Sequence, residues 1–177
     1  MVIVVTGVDM KTVTVVAGTI KLDSGGVRYK VVYYLAHENY NSVTIQNDIA
    51  VILVNPSINF SLKINKISLR DSLPIDGASC TASGWGLTSY PSTTIPNDLQ
   101  RIQLTKISLT ECRANLTEIS VLDSNACTLR AVGYGVCKGD SGGPLRYGLK
   151  QIGVVSFGIL CARGRPDVYA SVPFFKP

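Results

Sequence analysis

Between Val136 and Leu145 the sequence reads Val-Cys-Lys-Gly-Asp-Ser-Gly-Gly-Pro-Leu. A serine hydroxyl becomes a nucleophile when a base can take its proton, and this serine is set among glycines. Glycine adopts positive φ without steric cost, so successive backbone N–H groups around Ser141 can converge on one point. That convergence is how an oxyanion hole is made, the site that holds the negative oxygen of a tetrahedral intermediate.

Two other residues could take part in such chemistry. Asp48 opens the apolar run Ile49-Ala50-Val51-Ile52-Leu53-Val54, and an acid drawn into an apolar environment is rare unless it is paired; an exposed aspartate at a strand end is the simpler alternative for Asp48 taken alone. His37 is the only histidine of the chain and precedes Asp48 and Ser141 in the order His, Asp, Ser. It sits in His-Glu-Asn-Tyr-Asn-Ser, a polar segment in which a solvated loop histidine is the default. Nothing points to a metal ion or a cofactor.

The elements that must position these residues are mostly strands. Thr12 to Ile20 is rich in β-branched residues and begins by alternating, which predicts a strand. Lys21 to Gly26 supplies turn residues, and Val27 to Leu35 is a second strand, antiparallel to the first. The run after Asp48 predicts a third. Asn55 to Gly77 is polar and irregular, with Pro56 and Pro74, and fits a crossover between two bodies. Leu99 to Ile107 alternates again, and Ser108-Leu109-Thr110-Glu111 has the capping-box pattern that starts a short helix around Cys112. Asp123 to Leu129 returns to strand, and Gln151 to Gly158 is an apolar strand downstream of Ser141.

Composition narrows the class. The 177 residues are 46% hydrophobic and 16% charged, enough to bury a core. Their net charge of +5 is scattered, without a basic run or interleaved aromatics, which argues against nucleic acid or a membrane surface as partner. No apolar run reaches the roughly 20 residues of a membrane span, and Met1 to Val5 lacks the basic start and length of a signal peptide. Five cysteines, an odd number, leave the connectivity open on spacing alone. Asn59-Phe60-Ser61 and Asn115-Leu116-Thr117 match the N-glycosylation pattern, which suits a secreted protein.

Gly-Asp-Ser-Gly-Gly-Pro-Leu preceded by Cys137, together with Asn47-Asp48-Ile49-Ala50-Val51 and Ser83-Gly84-Trp85-Gly86, resembles the chymotrypsin and trypsin family of serine proteases, and in particular insect or crustacean digestive members. The resemblance runs from about Thr12 to Val172. It implies an all-β chain of two antiparallel six-stranded Greek-key barrels, the N-terminal one incomplete, divided into residues 1–65 with the triad aspartate and residues 66–177 with the nucleophile and the specificity pocket. Ser141 would be the nucleophile, Asp48 the carboxylate that orients a histidine, and the N–H groups of Gly139 and Ser141 the oxyanion hole. Asp140 would pair with an N-terminal amine released by activation cleavage. The implied disulfides are Cys112–Cys127 and Cys137–Cys161, each worth ~3 kcal/mol in the chain-entropy account. They leave Cys80 as a buried thiol.

The implied substrate pocket consists of Gly135 at its floor, Ser156, Phe157 and Gly158 along its edge, and Asp167 at its back. Trypsin-like members place an aspartate at the floor, so Gly135 argues for chymotrypsin-like or broad specificity, whereas a carboxylate at Asp167 would attract cations. A surface position for Asp167, satisfied by Arg163 or Arg165, is the alternative.

The family further implies protein or peptide substrates, protease inhibitors as partners, a monomer, and secretion, in the gut lumen for the digestive members. The family's Ile-Val-Gly-Gly terminus, Ala-Ala-His-Cys motif and C-terminal helix find no match here, so the reading expects a chain truncated at both ends. Ser141 without its histidine is expected to be inactive. A non-catalytic homologue that binds partners is the alternative function.

Overall fold

The computed structural model describes residues 12–159 and 161–176; the apolar start, Met1 to Val5, lies outside them. The first strand, β1 (Thr14–Ala17), is shorter than its β-branched run because Gly18 turns the chain at φ +85°, where a Cβ would come within 2.9 Å of Ile64. The turn that follows brings Val27 opposite Ala17, and β2 (Val27–Ala36) runs back antiparallel to β1. On its other edge β2 pairs with β3 (Ala50–Asn55).

These three strands form an open sheet. Tyr33 faces Leu53 and Leu35 faces Val51 across the β2–β3 ladder, and all four side chains are more than half exposed. The alternation that makes β3 a strand therefore puts apolar residues on a face with no partner among the described residues.

The rest of the chain closes. The strands β5 (Ser79–Gly84), β6 (Gln100–Ile107), β7 (Asn125–Leu129), β8 (Pro144–Tyr147), β9 (Lys150–Gly158) and β10 (Asp167–Ser171) form a ring in the order β10-β7-β6-β5-β8-β9, sealed by pairing of β9 with β10. The two-residue strand β4 (Ser68–Leu69) lies parallel to β9 in a segment where sequence reading expects only irregular crossover. Inside the ring, Cys80, Ala82, Leu104, Leu145, Ile152 and Tyr169 are almost wholly buried. One closed barrel and one open three-stranded sheet thus stand where the sequence expectation has two barrels, the first incomplete.

The helix α1 (Leu109–Asn115) begins where Ser108 Oγ accepts the Glu111 N–H at 3.0 Å, as its capping pattern requires. It carries Cys112 inward to a disulfide with Cys127 of β7. A second disulfide, Cys137–Cys161, ties the segment before Ser141 to the loop after β9. The last element among the described residues is a single turn, α2 (Val172–Phe175), where no helix is expected from sequence. Phe175 packs edge-on against His37 at 5.4 Å, which gives that turn a tertiary reason to form.

Besides the His37–Phe175 contact, sheet and barrel meet at further places. Ile49 packs on Val154, Ala170 and Val172. Leu22 N–H and Leu99 N–H donate to Asn97 and Ile20 carbonyls, beside an ion pair of Lys21 with Asp98. Ser156 on β9 donates its hydroxyl to Asp48, just before β3. Leu145, fully buried between β5 and β9, is the most direct probe of the barrel. Leu145→Ala is expected to lower the unfolding free energy by about 3 kcal/mol in urea titration.

Candidate active site

Ser141 lies in the loop between Cys137 and β8. Three backbone bonds give the loop its shape: Asp140 N–H to Cys137 O, Gly143 N–H to Asp140 O, and Gly142 N–H to Val155 O on β9. Gly139 has φ +97°, and a Cβ there would stand 3.1 Å from Gly86 Cα, so both conformation and space require glycine. The Ser141 side chain is exposed and makes no hydrogen bond with any described residue. The N–H groups of Gly139 and Ser141 likewise have no protein acceptor among the described residues.

Asp140 points the other way, into the body. Its Oδ1 accepts the Gly86 N–H and its Oδ2 the Cys137 N–H, both at 2.9 Å. Glycines clear the room for it: a Cβ on Gly84 would stand 2.1 Å from Oδ1, and one on Gly86 2.4 Å from Oδ2. A cavity of about 480 Å³ reaches this carboxylate, lined in part by Gly84, Gly86, Gly135, Arg101 and Arg163. No ion pair reaches Asp140 among the described residues. Sequence reading singles out Ser-Gly-Trp-Gly as a motif but not its purpose, because the carboxylate that needs the glycines lies 54 residues downstream of Gly86.

Asp48 is buried, with 5% of its surface exposed, and its Oδ2 accepts the Ser156 hydroxyl at 2.5 Å. Burial raises its pKa above the ordinary carboxylate value, and the serine bond works against that rise. The structure thus brings Asp48 to Ser156 but does not bring His37 to either Asp48 or Ser141 by a hydrogen bond. His37 Nδ1 accepts the Asn39 N–H, its backbone N–H donates to Ile49 O, and its ring lies against Phe175.

Asp167 on β10 is buried rather than at the surface. Its Oδ2 accepts the Val136 N–H at 3.1 Å, and Oδ1 lies 3.3 Å from where a Cβ on Gly135 would be and 3.5 Å from the equivalent point on Gly158. The carboxyl group therefore stands between two residues without side chains. Neither arginine considered from sequence satisfies it: Arg165 pairs with Glu118, and Arg163 lies over the Tyr90 ring. Desolvation, reinforced by the charge of Asp140 and opposed by the Val136 N–H, pushes its pKa up to about 7. Ser156 and Phe157 are half-buried on β9, and Gly158 is exposed at its end.

Cys80 is a buried free thiol on β5, held protonated by its desolvation. Among the described residues no three His, Cys, Asp or Glu side chains are grouped to hold a metal ion, and no helix is long and apolar enough to cross a membrane.

The family model described as "Trypsin" matches residues 4–177. Trypsin delta of Drosophila melanogaster is 41% identical over 158 residues, a match covering 88% of this chain and 62% of that protein. The chain thus spans about three fifths of the length of that relative. Mouse brain neuropsin, a serine protease, superposes with a TM-score of 0.87 at 27% identity, over 92% of this chain and 75% of its own. A scabies mite inactivated protease paralogue, S-D1, has a TM-score of 0.90 at 22% identity, over 98% and 78% of the two chains, a likeness of fold.

The glycines around Asp140 make a coupled prediction. Gly84→Ala must push the carboxylate off the Gly86 and Cys137 N–H groups, and is expected to cost about 2–4 kcal/mol in urea unfolding. Combined with Asp140→Ala, which removes the clashing oxygens, the double variant is expected to be more stable than the sum of the single losses by more than about 1 kcal/mol.

Proposed function

Because the chain belongs to the trypsin family of serine proteases, we propose that Ser141 is the nucleophile of a peptide-bond hydrolase, and that these 177 residues by themselves do not turn over. The observation that carries the first half is the loop itself. An exposed serine hydroxyl stands beside the Gly139 and Ser141 N–H groups, which have no acceptor among the described residues, while Asp140 anchors the same loop from behind. In the reaction Ser141 Oγ bonds to the scissile carbonyl carbon as its proton passes to a base, and the two N–H groups take the oxyanion. The amine leaves with a proton, and water then cleaves the acyl ester.

The second half follows from the imidazole. The family's base is a histidine, and the one histidine here is bonded to Asn39 and packed on Phe175. Removing the histidine from a triad enzyme costs on the order of a millionfold in turnover. Asp48 is the carboxylate that would orient such a base, and its bond to Ser156 places it where the sheet meets the barrel. In this reading residues 1–65 bring Asp48 and residues 66–177 bring nucleophile and pocket.

Gly135, Ser156, Phe157, Gly158 and Asp167 form the specificity pocket, of chymotrypsin-like or broad preference. The cavity beside Asp140 receives an α-amine, whose charge pairs with the carboxylate. Two disulfides suit an oxidising compartment, and the reading extends to a secreted protein, of the gut lumen if digestive, that meets protein substrates and their inhibitors. The second reading, a non-catalytic binding protein of the same family, draws on the engagement of His37 elsewhere.

Treatment with a fluorophosphonate probe tests the proposal. Intact mass is expected to show no stoichiometric adduct, and casein hydrolysis to stay at the level of Ser141→Ala. Rapid labelling confined to Ser141 would overturn the inactivity of this chain. Micromolar binding to a protein inhibitor of serine proteases, without hydrolysis, would favour the second reading.

A further inference from the structure

Of the charged groups that the proposed reaction leaves unused, Asp167 is the most constrained. It is 6% exposed, accepts one backbone N–H, and has no cation bonded to it among the described residues. Its neighbours can be taken element by element. On β10 itself, Tyr169 is a fully buried phenol whose hydroxyl is bonded to Thr128. On β7 the facing residue is Thr128, and on β9 it is Gly158; neither is charged.

The loop before Ser141 presents Gly135 and the Val136 N–H, while its Arg130 lies over Tyr134 and donates to Gln103 O. In the loop after β9, Arg163 and Arg165 are committed to Tyr90 and Glu118. The remaining charge is that of Asp140, and it repels. A carboxyl group so placed is costly when ionised, and among the described residues it has the Val136 N–H but no counter-ion to compensate it.

We propose that the proton on Asp167 selects the side chain the pocket accepts: with the proton on, the carboxyl is a neutral wall for an apolar or aromatic group; with it off, it is a charge without a counter-ion between Gly135 and Gly158 that binds a cationic group. This rests on reading those residues as the specificity pocket, and makes its preference a function of pH. The raised pKa, about 7, puts the exchange within the ordinary range for a protein in solution. The linkage has a definite sign. A cation stabilises the ionised form, so below pH 7 its binding must expel a proton and weakens as pH falls. Above pH 7 the proton is already gone, and affinity levels off. A neutral aromatic ligand has the opposite linkage: it prefers the protonated carboxyl, so its affinity falls as pH rises through 7.

Binding to the full chain by calorimetry distinguishes the possibilities. Benzamidine, whose own charge is constant over the range, is the cationic probe, and indole the neutral one. Benzamidine is expected to bind on the order of 100-fold more tightly at pH 8 than at pH 5, with indole weaker at pH 8. Asp167→Asn is expected to flatten the benzamidine profile at its low-pH level and to remove the pH dependence of indole binding.

Indole binding accompanied by pH-independent benzamidine binding would overturn the inference while the pocket stands. Failure of both ligands at every pH would remove the pocket and the inference together. Should the variant not fold, the carboxyl carbon of Asp167 in the ¹³C spectrum of the unmodified chain decides the matter. Its midpoint is expected near 7 and displaced downward by benzamidine; a midpoint below 5 in the free chain contradicts the proposal.

Discussion

The loop that carries Ser141 depends on one inward-pointing, partly buried carboxylate. Asp140 binds the N–H of Gly86 on one side and that of Cys137 on the other, and so fastens the loop to the end of β5 and to the disulfide-linked segment before it. Charge-assisted bonds of this kind are roughly twice as strong as neutral ones. The geometry tolerates no side chain at Gly84 or Gly86, because each Cβ would lie inside the carboxylate. Further bonds, from Gly142 to Val155 and from Val155 to Gly143, weave the loop into β9. The exposure of Ser141, and the N–H groups beside it that find no acceptor among the described residues, are consequences of an anchor that faces away from them.

The closed barrel makes this possible and the open sheet depends on it. Six strands seal on themselves, so no edge of the ring is left to unravel near the loop. The three-stranded sheet leaves Tyr33, Leu35, Val51 and Leu53 exposed, and is held to the barrel by Ile49, by the Lys21–Asp98 contact and by the bond between Asp48 and Ser156. Asp48 is thus both a proposed member of the catalytic group and part of the seam. Its burial costs free energy that the serine bond offsets only in part, as the direction of its pKa indicates.

What could be read from the sequence was local. The glycines around Ser141 and the Ser108 cap of α1 act within a few residues of themselves, and both were legible. The length of β1 was not, since Gly18 ends it against Ile64, 46 positions along the chain. The pairing of Arg165 with Glu118 and the stacking of Arg163 on Tyr90 are decided by the fold, so sequence left open whether they reach Asp167. The turn at Val172–Phe175 is too short to form on propensity and takes its support from His37. Long-range contacts also gave Gly84 and Gly86 their role.

Amide hydrogen exchange at Gly86 is the most direct test of the anchor. The Gly86 N–H donates to Asp140 and to no other described acceptor. It is expected to exchange slowly in the native chain and to lose that protection in Asp140→Ala, while amides of the β6–β7 ladder keep theirs. Unchanged protection of Gly86 in the variant would contradict the account, since the loop would then be held by something other than this carboxylate.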